Sequence, residues 1–322
     1  MIYYYTSLNA KQLTTDLSLR AIAVKLGRNP SSLSRELDRN CSGESVYLPD
    51  AAQAQMQARR QQSKTRFSGV TESCIAELKQ RLQQYHSPEQ ISGRLRLQGQ
   101  VAISHETIYQ MIYANHEGLQ AYQKYLRQGR RKRRKRGGAT SKRGQIPGRV
   151  GIEHRPAIAS GKVEMGHWES DTMIGGNHSG VIVTHVDKAS KYLIAGLGTN
   201  KTSAQVNRVT LALFATVPEA QRKTMTFDNG KEFSGHAELS QRLKLSCYFA
   251  NPYHSWERGL NEHTNGLLRQ FFPKQTNFRI VKAEELQKAV DLINNRPRKS
   301  LDYRTPFEIF YADTLDAVAL QI

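Results

Sequence analysis

Cysteine is scarce: three residues in 322, Cys41, Cys74 and Cys247, widely spaced and without a CxxC pair. That excludes a disulfide framework and a structural zinc site, and fits a reducing, cytoplasmic setting. The chain also has no apolar run long enough to span a bilayer and no signal-peptide pattern. The opening Met1-Ile2-Tyr3-Tyr4-Tyr5 is too short for targeting, so no membrane partner is expected. Acids are in short supply as well. Against 47 Lys and Arg stand 28 Asp and Glu, a formal charge of +19. Such an excess excludes little about fold but points to a polyanionic partner, double-stranded DNA above all. The imbalance is steepest in residues 129–150, which hold ten basic residues and no acid.

What is present falls into four parts. Residues 1–66 contain a helix-turn-helix at 17–40 followed by an Ala- and Gln-rich helical spacer opened by Asp50. Gly27 permits the turn, Asn29 caps the second helix, and Pro30 takes its first position, where a missing N–H costs nothing. Ile22, Leu26, Leu33 and Leu37 fall inward, leaving Ser32, Arg35 and Arg39 outward to meet phosphates and base edges. Residues 67–128 repeat the plan with helices at 72–84, from Ser87, and from Ser104. Ser87-Pro88-Glu89-Gln90 reads as a capping box. Outward residues here include His105 and Gln110, candidates for DNA contact, although a purely architectural helical unit explains them equally well. Residues 129–150 form a basic linker in which Arg130, Arg131, Lys132, Arg133 and Arg134 would track the phosphate backbone. From about 163 the period becomes strand-like. Residues 151–322 predict three strands, then helices alternating with two more, giving a five-stranded mixed sheet with flanking helices. Phe307, Phe310 and Tyr311 are expected to anchor the C-terminal end.

Within that last part, 224–269 carries the chemistry. Asp228 follows the β-type run Thr224-Met225-Thr226-Phe227. Glu262 lies in a helical pattern where Arg258, Glu262, Asn265 and Arg269 share one face, opposite Leu260, Thr264, Leu267 and Phe271. A third acid, Asp171 in Gly166-His167-Trp168-Glu169-Ser170-Asp171, could join them on divalent metal, because hard cations prefer carboxylate oxygens. Arg258 and Arg269 are read as phosphate contacts. Nearby acids compete for these roles. Glu169 shares Asp171's strand face, Asp187 reads as a turn acid, and Glu232 reads as opening a helix.

Three segments in order resemble the DDE transposases of the bacterial insertion-sequence-30 family, which carry a ribonuclease-H-like core. They are Gly166 to Asp171, Phe227-Asp228-Asn229-Gly230-Lys231-Glu232-Phe233, and Trp256-Glu257-Arg258-Gly259-Leu260-Asn261-Glu262. Thirty-three residues separate Asp228 from Glu262, and Asn294-Asn295-Arg296-Pro297-Arg298-Lys299 extends the match. The family pattern has Asn where this chain has His263.

The resemblance implies a multidomain protein: N-terminal all-α helix-turn-helix units plus an α/β ribonuclease-H-like catalytic domain. Asp171, Asp228 and Glu262 would be catalytic and hold two Mg2+ ions, with Mn2+ able to substitute. The chain would bind terminal inverted repeats, nick DNA and transfer strands into target DNA through a circular intermediate. It would work as a homodimer or larger homo-oligomer in the bacterial cytoplasm at the nucleoid. Two other classes stay open on sequence alone, a repressor with an inactive catalytic domain and a ribonuclease-H-like nuclease or resolvase.

Overall fold

A computed structural model describes residues 18–40, 47–62, 67–100, 103–127, 146–251 and 255–312, the side chains of 61, 62, 255 and 256 excepted. Two compact units emerge, residues 1–71 and 72–322. The basic run Arg130, Arg131, Lys132, Arg133 and Arg134 and the Trp256 side chain lie outside the described residues.

The first unit contains α1 (Leu19–Lys25), α2 (Pro30–Asn40) and α3 (Pro49–Gln62). Ser18 caps α1 by accepting from the Ala21 amide, and Gly27 takes φ +60° at the turn. Asn29 starts α2 by accepting from the Ser31 amide at 3.0 Å. Ile22 is buried, whereas Leu26, Leu33 and Leu37 are only half-covered. Ser32, Arg35 and Arg39 are exposed along α2, as its spacing requires. Asp50 lies in the first turn of α3 rather than capping it.

The second unit begins with α4 (Glu72–Gln83), α5 (Pro88–Leu97) and α6 (His105–Tyr113). Ile75, Leu78, Leu82, Ile91, Leu95, Ile108, Met111 and Ile112 close a small apolar core. Both halves of the capping box form, Gln90 N to Ser87 Oγ at 3.3 Å and Ser87 N to Gln90 Oε1 at 2.9 Å. His105 and Gln110 are exposed.

The sheet follows: β1 (His167–Ile174), β2 (Val181–Asp187), β3 (Leu193–Gly198), β4 (Thr224–Phe227) and β5 (Ser246–Phe249). Its order is β3-β2-β1-β4-β5, with β1–β2 and β2–β3 antiparallel and β1–β4 and β4–β5 parallel. This is the mixed five-stranded sheet the residue pattern predicts. Every residue of β2 is buried, because helices cover both faces. On one face, α7 (Ser203–Phe214) and α8 (His236–Leu243) pack on Trp168, Val183, Met225 and Phe227. On the other, α9 (Gly259–Phe271) and α10 (Ala283–Asn294) cover Met173, Ile182, Val186 and Leu193. Residues 163–166, expected to begin the first strand, stay outside it, and Val163 is exposed.

The helical segment α4–α6 packs on the C-terminal side of the sheet domain. Tyr85 meets the Phe271 ring edge-on at 4.9 Å, and the Arg94 guanidinium pairs with Glu308 of α11 (Pro306–Phe310). Phe310 is buried and Tyr311 half-buried, but Phe307 is 38% exposed and is not the anchor expected of it. Its position one residue after Pro306, in the first turn of a five-residue helix, turns it outward. At Gly93 the helical segment and the sheet domain pass closely: a Cβ there would lie 2.2 Å from the Tyr303 ring. Gly93→Ala is therefore expected to cost about 1–3 kcal/mol, read as a lowered midpoint in thermal denaturation.

Candidate active site

Alternation along β1 decides what faces what. Trp168 joins the α7 side, so Glu169, Asp171 and Met173 face α9. In β4, Met225 and Phe227 join the α7 side, leaving Thr226 and the position of Asp228 toward α9. β1 and β4 are parallel neighbours with Glu169 opposite Thr226. Continuing that register by two residues brings Asp171 level with Asp228. Two acids far apart in sequence thus meet at one end of adjacent strands.

The pair shares one guanidinium. Arg258 Nη1 lies 3.8 Å from Asp171 Oδ1, and Nη2 lies 3.6 Å from Asp228 Oδ2. The same Nη1 donates to the Ser170 carbonyl at 2.7 Å. Backbone amides fix each carboxylate: Thr172 N donates to Asp171 Oδ1 and Gly230 N to Asp228 Oδ1, both at 2.8 Å. Asn265 Nδ2 donates to Asp171 Oδ2 at 3.1 Å. Burial raises the Asp171 carboxyl above the usual aspartate range. Arg258 and the Thr172 amide pull it back, and the Asp228 and Glu232 charges add to the rise.

Glu262 stands apart. It is exposed on α9, and no described residue pairs with its carboxylate. Among the described residues, no three His, Cys, Asp or Glu side chains are close enough together to hold a metal ion. The structure therefore brings Asp171 and Asp228 together and leaves Glu262 outside their immediate contact. The face of α9 that meets the strands carries Asn261 and Asn265. Asn261 is fully buried, donating from Nδ2 to the Glu169 carbonyl at 2.7 Å and from its amide to Glu169 Oε2 at 3.1 Å. Both asparagine Oδ1 atoms accept from Thr184 Oγ1 at 3.0 Å.

Arg258 and Arg269, expected to meet phosphate, direct donors at the protein itself. Arg269 Nη2 reaches the Ile174 carbonyl at 3.2 Å, and its guanidinium stacks over Phe278. The competing acids also resolve. Asp187 is a buried turn acid accepting from the Ala189 and Ser190 amides. Glu169 is buried with Lys188 3.7 Å away. Glu232 lies in a short 3-10 turn, Lys231–Phe233, but it is more than a helix opener. It is 5% exposed, accepts from Thr172 Oγ1 at 3.1 Å and pairs with Lys201 at 2.6 Å, beside Asp171. Asn261 and Glu232 are the residues that sequence reasoning undervalued. An asparagine pair four apart in a helix, where Asn is a poor former, is the signal that could have found the first. A cleft of about 710 Å³, lined by His86, Arg94 and Asp291 among others, contains none of the site acids.

No family model matches the chain. Of its curated relatives, the transposase for insertion sequence element IS4351 of Bacteroides fragilis is 41% identical over 299 residues, covering 92% of this chain and 91% of that one. The transposase for insertion sequence element IS1086 of Cupriavidus metallidurans is 36% identical over 304 residues, 91% and 89% of the two chains. Transposase InsI for insertion sequence element IS30A of Escherichia coli is 35% identical over 311 residues, 92% and 79% of the two. Among solved structures, the catalytic core domain of BIV integrase is 21% identical with a TM-score of 0.38, covering 47% of this chain and 97% of that chain.

Proposed function

Because the chain belongs to the insertion-sequence-30 family of transposases, we propose that it nicks and rejoins DNA at the Asp171–Asp228 pair, with Glu262 as third acid. The observation that carries this reading is the convergence of the two aspartates on one face of adjacent strands, at one guanidinium. Water would open the phosphodiester at the element's end, and the freed 3′-hydroxyl would attack a second strand. Asn265 and the Thr172 and Gly230 amides hold the carboxylates in position for both steps. Arg258 holds the Asp171 and Asp228 carboxylates against each other, and would have to release them to meet phosphate.

Carboxylate oxygens are the donors a hard cation takes. Asp171, Asp228 and Glu232 bring three carboxylates to this corner against Arg258 and Lys201, so negative charge is in excess. Asp171 and Asp228, completed by Glu262, would hold two Mg2+ ions, with Mn2+ able to substitute. Such ions activate a hydroxyl and stabilise a leaving oxygen. Nicking of a labelled duplex carrying the element's own end is expected in Mg2+ or Mn2+ and not in excess EDTA. Nicking that persists under chelation would overturn this assignment.

Sequence recognition falls to the helical units. Ser32, Arg35 and Arg39 are exposed on α2, the geometry for contact with phosphates and base edges of the terminal inverted repeats. His105 and Gln110 on α6 carry less charge and would add to that reading. The basic run from Arg130 to Arg134 would bind DNA of any sequence. Joining two ends needs both in one complex, so a homodimer or larger assembly is the working form. Arg35→Ala and Arg39→Ala should each lower the salt dependence of end binding by about 0.9 in log–log slope. Wild-type slopes in gel-shift titrations would transfer recognition to α6.

Among the described residues, no helix is long and apolar enough to cross a membrane. The working place proposed for the protein is the bacterial cytoplasm, on nucleoid DNA.

A further inference from the structure

On the solvent side of α9, next to Glu262, positive charge gathers without matching acid. A cleft of about 530 Å³ is lined there by His263, Arg298, Lys299 and Tyr303, with Ser87 and Glu89 from the helical segment opposite. Glu89 is the one acid in that lining, and Lys299 already holds it at 2.8 Å. Behind the cleft stands Arg296, 3% exposed, with its Nη atoms on Gln270 Oε1 at 3.4 and 3.5 Å and its Nε unpartnered. Arg298 donates to the Ile293 carbonyl at 3.1 Å, and its Nε is likewise buried and unpartnered. Arg127, just past the 3-10 stretch His116–Tyr125 that extends the helical segment beyond α6, reaches α9, its Nη2 3.5 Å from where a Gly266 Cβ would sit. Among the described residues, no carboxylate lies within ion-pair distance of any of these three arginines.

Three like charges gathered at a part-buried seam are unfavourable unless an anion joins them. Burial and the Arg298 and Arg127 charges bring Arg296 down to about 9, and burial with Arg127 brings Arg298 down to about 10. The protein offers this group a side-chain amide and a backbone carbonyl but no anion. An anion joining them would have to come from outside the protein, and a guanidinium fork matches a phosphodiester best.

We propose that Arg127 and Arg298, backed by buried Arg296, form a phosphate cradle beside Glu262 that grips the backbone of the DNA strand lying across the active site. The proposal rests on the transposase reading for the identity of its ligand. It also makes the cradle a joint product of the helical segment, which supplies Arg127, and of the sheet domain, which supplies Arg296 and Arg298. DNA would thus be held where the two pieces dock, one helical step from the third acid.

The test uses the full chain with an end duplex and with a duplex of unrelated sequence. Arg298→Gln and Arg127→Gln should each weaken both complexes about tenfold at fixed salt. Each should also lower the log–log salt slope by about 0.9, while Arg298→Lys keeps part of the affinity. Wild-type affinity and slope in both Gln variants overturn the cradle, and a lowered melting temperature with wild-type slopes assigns the arginines a structural role instead. Should Arg298→Gln fail to fold, exposed Arg127→Gln decides by the same measure. Stabilisation by inorganic phosphate alone, with DNA slopes unchanged, marks a free-anion site and also overturns it. Failure of the transposase reading shows elsewhere: wild-type protein that never nicks end DNA in Mg2+ sinks that reading, while slopes lowered in the variants would still support the cradle.

Discussion

Asp171→Asn and Asp228→Asn should each yield a folded protein that binds end DNA while nicking and strand transfer fall on the order of a thousandfold or more. One site serves both steps, so both should collapse together. Folding is expected to survive because Asp171 is desolvated and feels the Asp228 and Glu232 charges, and neutralising it relieves that repulsion. The Asn265 amide can turn over to present its oxygen to the new side-chain amide. Binding should hold or tighten slightly, since a negative charge beside phosphate has gone. The measurements are labelled-end nicking and joining assays beside gel shifts and thermal melts. Near-wild-type nicking by either variant would remove the pair from the chemistry. Glu262→Gln, run in parallel, should match their loss of activity, whereas Glu169→Gln should keep most of its activity. An active Glu262→Gln beside a dead Glu169→Gln would move the third acid from α9 to β1.

The sheet was legible in advance because its signals are local. Alternation in β1, the apolar run of β2 and the turn chemistry between them are written within a few residues of one another. That Asp171 and Asp228 would meet was legible too, since each follows a strand pattern whose alternation sends it to the same face of the sheet. What the pattern concealed was side-chain direction on α9. Arg258, Glu262, Asn265 and Arg269 share a face by spacing, yet the strands meet that helix along Asn261 and Asn265, and a single step of about 100° separates Glu262 from that line. Helical periodicity names a face only to within about a residue, so it cannot say which of two neighbours touches β1. Glu232 was only half read, for a related reason. A carboxylate near a helix start reads as dipole-favoured on the surface, and only the fold shows it buried against Thr172 and Lys201. The docking of α4–α6 through Tyr85, Gly93 and Arg94 had no local signature at all, because it depends on partners some two hundred residues away.

Asp187→Asn is expected to do the opposite of the active-site variants, lowering stability and sparing chemistry. The side chain is fully buried at the end of β2 and accepts four hydrogen bonds. Gly166 N donates to Oδ1 at 2.8 Å, while Ala189 N at 3.1 Å, Ser190 N at 2.8 Å and Ser190 Oγ at 2.7 Å share Oδ2. An asparagine has one acceptor oxygen and one donor group, so its NH2 must face at least one buried N–H. The lesser conflict puts the NH2 against Gly166, leaving that amide unsatisfied where the chain turns into β1 with φ +97°. Loss of a charged acceptor together with a buried unmet donor costs on the order of 3 kcal/mol. For a unit of this size that lowers the melting midpoint by roughly 5–10 °C. Activity per folded molecule should stay close to wild type at low temperature, because Asp187 serves the β2–β3 turn and the entry to β1 rather than the aspartate pair. Circular-dichroism melts with nicking rates normalised to folded protein separate the two effects. An unchanged midpoint with activity lost would place Asp187 among the catalytic acids and displace the turn role assigned to it.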